Sequence, residues 1–343
     1  MEERYFAASN SGKGFVSYFD QVFSCKNFEH VYIIKGGPGT GKNFFMRSIA
    51  RAAEEKGKNV VYYYCSSDQN SLDGIIVDGR IAVLDGTSPH TRDAGLPGAA
   101  EDIVDLGAFW NVKKLSEKRG EIEKLNLEKK RHYSRAYRYL AAYHEISRAI
   151  EDTVYPLTDR DKIRKSIDAV LRDVKNGKEY SSRVAICDSV GMEGRVRFDS
   201  LEKKAKKIYR IVDIFDTAFL YLSEIANAAM FKNLSVVYSY DPVNTDRLDA
   251  VFLSDSGILF TLCEAEGAKQ ISMSRFLAQK ALQSIRKTVK SSQKLRTLML
   301  DETLLALSDV KKTHFKLEEI YKDAMDFEAK ERFTKDFISG LSL

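Results

Sequence analysis

Apolar positions along the chain follow two rhythms. Val31–Lys35, Val60–Cys65 and Arg80–Asp85 carry short, nearly continuous apolar runs of strand length. Arg4–Ala8 reads as a further extended segment. Between the first two runs, Asn43 to Lys56 places Phe45, Ile49 and Ala53 at helical spacing. Strand, helix and strand with runs apolar on both sides predict an α/β fold whose mainly parallel sheet is covered on both faces. Two later tracts, about 112–178 and 270–340, are charged and helix-periodic. Each is expected to form a long helical hairpin behind its own sheet.

The rhythm occurs twice. Displaced by 176 residues, Ile49–Ala53 falls on Ile225–Ala229, Val60–Tyr62 on Val236–Tyr238, and Leu72–Asp73 on Leu248–Asp249. Displaced by 179, Arg4, Gly12, Phe19 and Asp20 fall on Arg183, Gly191, Phe198 and Asp199. An ordered set of this kind predicts a tandem duplication, with domains at 1–180 and 181–343.

Composition narrows the class. Five prolines in 343 residues, none after Pro242, are far below the usual share of about 5% and argue against an all-β or proline-rich chain. The net charge is +5. Lys113 to Lys178 holds 18 basic and 11 acidic residues, so this tract is the basic part of the molecule. A basic arm that binds nucleic acid is one reading of it; helices that cover the sheet and shape a dimer, or meet a protein partner, are the plainer one. Cys25, Cys65, Cys187 and Cys263 have no metal-like spacing. With no signal-like or membrane-length apolar stretch, a cytoplasmic protein is expected.

The chemistry is concentrated after the first run. Gly36-Gly37-Pro38-Gly39-Thr40-Gly41-Lys42-Asn43 has the G-x-x-x-x-G-K pattern between a predicted strand and a predicted helix. Glycines let backbone N–H groups turn inward around phosphate, and Lys42 adds a charge for the terminal phosphates. Asn43 stands where a Ser or Thr would bind Mg²⁺; its amide oxygen is a ligand of the right kind but of different reach. Asp85, at the end of the third run, is the expected second Mg²⁺ residue. Gly86 follows it rather than a second acid, so Asp68 and His90 are the candidates to orient an attacking water. Arg92 is either a charge-stabilising arginine or a surface residue. A guanine-reading motif is missing, so ATP is expected over GTP. In the second copy Val212–Phe219 has lost the glycines, with Phe219 at the place of Lys42, and Leu259–Thr261 lies over Leu84–Gly86. Only the first half is expected to bind nucleotide.

GGPGTGKN, with DGTSPHTRD and PGAAEDIVDLGAFW after it, resembles a bacterial family of duplicated P-loop ATPases of about this length. The resemblance extends to Ala324–Glu328 and implies a P-loop NTPase fold and ATP binding. The departures are the lost second loop and Asn43. A Mg²⁺-dependent ATPase with one site is the leading expectation; a small-molecule or nucleotide kinase and a slowly hydrolysing switch are the alternatives.

Overall fold

The computed structural model describes residues 2–343, apart from the side chains of Gln279 and Ala281. Its first half runs β1 (Glu3–Phe6), β2 (Ala8–Ser11), β3 (Gly14–Ser17), α1 (Phe19–Val22), β4 (His30–Lys35), α2 (Lys42–Glu55), β5 (Val60–Tyr64), β6 (Leu72–Val77), β7 (Ile81–Asp85) and β8 (Glu101–Asp105). Helices α3 (Val112–Glu117), α4 (Arg119–Val154) and α5 (Arg160–Val170) follow. The second half repeats the series: β9 (Ser181–Val184), β10 (Asp188–Gly191), β11 (Gly194–Arg197), α6 (Ser200–Lys204), β12 (Lys207–Val212), α7 (Ala218–Phe231), β13 (Ser235–Tyr240), β14 (Leu248–Leu253), β15 (Ile258–Thr261) and β16 (Lys269–Ser272). It ends with α8 (Gln279–Lys322) and α9 (Phe327–Gly340).

The two sheets have the same order, β1-β5-β6-β7-β4-β8 and β9-β13-β14-β15-β12-β16. Even an irregularity recurs: the β5–β6 register shifts at Tyr63/Tyr64, and the β13–β14 register at Ser239/Tyr240, 176 residues on. The chain is a duplicated α/β protein.

Each sheet is mixed: five strands run parallel, as expected of a mainly parallel sheet, and one is reversed. β6 runs antiparallel to both β5 and β7. The cause is Asp78-Gly79, both at positive φ, which turn the chain directly from β6 into β7. An Asp-Gly pair within such a short, three-residue connection is a hairpin signal. β4, β7 and β8 are parallel, and β7 is buried along its whole length. On α2, Phe45, Met46, Ile49, Ala50 and Ala53 form the buried stripe set by the 3.6-residue repeat.

The tails are helical but do not form hairpins behind their own sheets. α4 and α8 pair with each other, burying Ala136 and Leu140 against Ala306, Leu307 and Val310. The shorter helices then cross over. α5, from the first tail, lies on α7 of the second half, with Ile163 and Ile167 in that core and Arg160 2.7 Å from Glu224. α9, from the second tail, lies on α2 of the first half, where Phe333 and Phe337 meet Phe45. Matching backbone bonds fix both crossings: Asp326 N–H to Phe109 C=O at 2.9 Å, and Asp159 N–H to Phe276 C=O at 2.7 Å. An amphipathic stripe specifies that a helix buries one face, not whose sheet receives it. That is why the hairpin expectation fails.

The small hairpins are exchanged too. The tip of β10–β11 holds the loop after β5: Met192 N–H donates to Ser67 C=O at 2.7 Å, and Gln69 Nε2 to Gly194 C=O at 3.0 Å. Conversely, Gly12 N–H donates to Val243 C=O at 3.0 Å, in the loop after β13. Among the described residues, no helix is long and apolar enough to cross a membrane.

Candidate functional site

The glycine-rich loop joins β4 to α2. Gly36, Gly39 and Gly41 have φ of 148°, 72° and 80°. Only residues without a Cβ adopt such backbone freely. Gly41 is the N-cap of α2, and the first helical bond is from Phe45 N–H to Gly41 C=O. The N–H groups of Lys42, Asn43 and Phe44 thus lie at the helix terminus without intrahelical acceptors, at the positive end of the helix dipole. Thr40 is buried and braces the loop by donating its hydroxyl to Gly37 C=O at 2.9 Å. Pro38 lies half-buried between Gly37 and Gly39.

Lys42 folds back over this loop. Its Nζ donates to Gly36 C=O at 2.8 Å and Gly37 C=O at 2.9 Å, and lies 3.5 Å from Asp85 Oδ2. Because β7 is the parallel neighbour of β4, its last residue, Asp85, emerges beside the start of the loop. Asp85 Oδ1 accepts from Thr87 N–H at 2.9 Å and from the Thr87 hydroxyl at 2.6 Å. That leaves Oδ2 facing Lys42.

His90 joins this group. Ligand-type atoms of Asp73, Asp85 and His90 all lie within 4.8 Å of one another, and all three residues are buried. His90 stacks on Phe19 at 4.4 Å between ring centres, and its Nε2 is 3.5 Å from Asp73 Oδ1. Asp73 Oδ2 and His90 Nδ1 are buried with no hydrogen-bond partner. Burial pushes the Asp73 carboxyl up to about 6; the Asp85 charge adds to the rise, and His90 and Lys42 oppose it. Two carboxylates, an imidazole and an ammonium around one small volume are an arrangement able to hold a divalent cation or to handle a proton.

Asp73 escapes a reading by motif. The available signal was the recurrence of Leu72–Asp73 as Leu248–Asp249. A charged residue repeated inside two fully apolar strands has to be there for something other than packing.

Other expected residues are placed elsewhere. Asp68 caps its own turn: its carboxylate accepts from Asn70 N–H at 3.3 Å and from the Ser71 hydroxyl at 2.5 Å. It is not one of the clustered ligand groups. Asn43 Oδ1 is occupied by Leu72 N–H at 3.3 Å and Arg47 Nε at 3.1 Å, so this amide ties α2 to β6. Arg92 is neither a surface residue nor near Lys42's contacts; its guanidinium holds Glu101 at 2.7 Å and Phe23 C=O at 2.8 Å. Glu101 in turn accepts from Gly95 and Leu96 N–H, which shapes the loop after β7.

The second half shows how the same frame is closed. Asp213 directs its carboxylate at the start of α7, accepting from Ala218 N–H at 2.6 Å and Phe215 N–H at 3.0 Å. A built-in anion thus satisfies the terminus that the first half leaves to its glycines. The helices align Ala218 with Lys42, one residue from the expected Phe219. The sheet register pairs Thr261 with Arg210 as Leu84 pairs with Ile33, so Leu262, not Phe260, stands at the position of Asp85. Asp249, the counterpart of Asp73, faces Arg197 at 3.6 Å. That guanidinium also reaches Glu202 at 2.6 Å and Thr261 Oγ1 at 3.2 Å. A resident cation fills the acidic pocket there.

A family model described as nephrocystin 3, N-terminal, matches residues 16–76, well under half of the chain. The match runs from β3 into β6 and encloses the glycine-rich loop. It is a different family from the duplicated ATPases that the motifs resemble. No curated protein and no solved structure matches the chain significantly.

Proposed function

We propose that this chain is a P-loop protein that binds ATP with Mg²⁺ at a single site in its first half and hydrolyses it slowly. The observation that carries the reading is the contrast at the two equivalent helix starts. α7 is supplied with its own carboxylate, Asp213, whereas α2 is preceded by glycines and Lys42. A helix terminus lined with free N–H groups and an ammonium is an anion site. A strand–loop–helix of this sequence suits a nucleoside triphosphate.

The residues present fit Mg²⁺ only in part. Asp85 Oδ2 and the unpartnered Asp73 Oδ2 are hard oxygen donors beside Lys42. Asn43 is not free for the role, because its oxygen already accepts two hydrogen bonds. When bound, the ion offsets phosphate charge. The protein's own part follows from the geometry. The loop N–H groups and Lys42 hold the phosphates, and Lys42 exchanges the Gly36 and Gly37 carbonyls for phosphate oxygens. His90, stacked on Phe19 and turned by Asp73, offers a ring nitrogen to the attacking water. Asn43, tied to Leu72, favours slow turnover and hence a nucleotide-dependent switch over a fast ATPase.

Titration with MgATP, followed through Trp110, tests the assignment. Trp110 is the only tryptophan, and its ring lies 3.2 Å from where a Cβ on Gly37 would stand. Lys42→Ala should weaken binding by about a hundredfold, the scale of a lost charge-assisted contact. Equal affinity in the two proteins would remove the site.

A further inference from the structure

The second half contributes more than a covering helix to this site. Lys330, on α9, is 2% exposed, and among the described residues its ammonium makes no hydrogen bond or ion pair, with only the charge of neighbouring Glu331 acting on it. Its Nζ lies 4.3 Å from the centre of the Phe44 ring and 5.5 Å from that of Phe327. It also lies 2.9 Å from the point where a Cβ on Gly41 would stand. The amine is therefore aimed at the first turn of α2, where the helix presents its unbonded N–H groups. A buried ammonium without a counter-ion is costly. Aromatic faces offset part of that cost; an anion at the helix start would offset the rest. Burial and the charge of Lys42 both depress the pKa of Lys129 on α4, and burial depresses that of Lys330.

We propose that Lys330 is a phosphate-binding residue of the first half's nucleotide site, delivered across the duplication by the last helix. This rests on the nucleotide reading above and extends it. The polyphosphate would bridge Lys42 on α2 and Lys330 on α9, so that binding fastens the second tail to the first sheet.

The test compares wild type, Lys330→Met, Lys330→Arg and Lys42→Ala by calorimetric titration with MgATP. Methionine keeps the stem over Phe44 and removes the charge; arginine keeps the charge. Lys330→Met should bind about tenfold or more weakly, with Lys330→Arg close to wild type. Should the Met variant fold poorly, hydrogen exchange on the wild type gives a second readout: MgATP should slow exchange across 327–340. Wild-type affinity in Lys330→Met alongside loss in Lys42→Ala overturns this inference and leaves the loop assignment standing. Unchanged exchange across 327–340 in ATP-saturated wild type also overturns it. Equal binding by wild type and Lys42→Ala overturns both readings.

Discussion

Replacing Phe337 by alanine tests the crossing of the tails, the feature on which the site's cover depends. The Phe337 ring meets Tyr32 edge-on at 5.0 Å, Phe45 at 5.1 Å and Phe333 at 6.0 Å. Phe45 is fully buried, so Phe337 joins α9 to β4 and α2 of the first half. Full removal of a buried phenyl costs about 3–5 kcal/mol. Phe337 keeps one side towards solvent, which brings the expected loss to about 2–3 kcal/mol. Urea unfolding at equilibrium measures the total. Hydrogen exchange locates it: amides of α9 and α2 should exchange faster, while those of α7, covered by α5, should hold their rates. A loss below about 0.5 kcal/mol would refute the packing. Faster exchange in α7 with α2 unchanged would refute the crossing itself, since it would return the second tail to its own half.

Two further outcomes follow from other contacts around the loop. Glu318 lies on α8 where its C=O packs against Gly39, and the His314 ring at 3.6 Å with a hydrogen bond from Lys322 at 2.9 Å holds its carboxyl down at about 2. A depressed carboxyl stabilises the fold fully above its unfolded value, near 4.5, and loses that contribution as pH falls towards 2. Glu318→Gln should therefore cost about 1–2 kcal/mol at pH 7, allowing for its partial exposure, and almost nothing near pH 2. Urea midpoints at the two pH values check the sign. Asn43→Ser removes the acceptor for Leu72 N–H and should cost about 1 kcal/mol. It should also raise ATP turnover roughly tenfold by freeing a hydroxyl for the metal; a rate equal to wild type would count against the slow-switch reading.

The part of the molecule legible in the sequence is the part governed by local rules. Val31–Lys35, the glycines and Asn43–Lys56 declare strand, turn and helix by period and residue type, and the structure has them as β4, loop and α2. The duplication was legible because side chains that pack alike were kept alike, as Ile49 and Ile225 were. β6 is not among the expected strands, because its place depends on the Asp78-Gly79 turn that reverses the chain rather than on an apolar period. The tail crossing left no such trace. Ile163, Ile167, Phe333 and Phe337 announce apolar faces, and the receiving surfaces, on α7 and α2, lie at a sequence distance that no window spans. Asp73 lay between these cases: its repetition at Asp249 was visible, but its meeting with Asp85 and His90 depends on the antiparallel β6.

The crossing also bears on why a half without Lys42, its glycines or Asp85 is kept whole. A degenerate copy that merely trailed its sister could lose its tail without consequence. Here the tail supplies Tyr321 beside Gly37, the Glu318 C=O beside Gly39 and Lys330 beside Gly41. The same half's β10–β11 turn holds the loop of Ser67 and Gln69. Its own anion and cation places are occupied from within, by Asp213 and Arg197. The first half leaves Asp73 Oδ2 and His90 Nδ1 buried without partners beside the loop. Free energy forgone in the fold is thus concentrated beside the glycine-rich loop, where an incoming group could recover it.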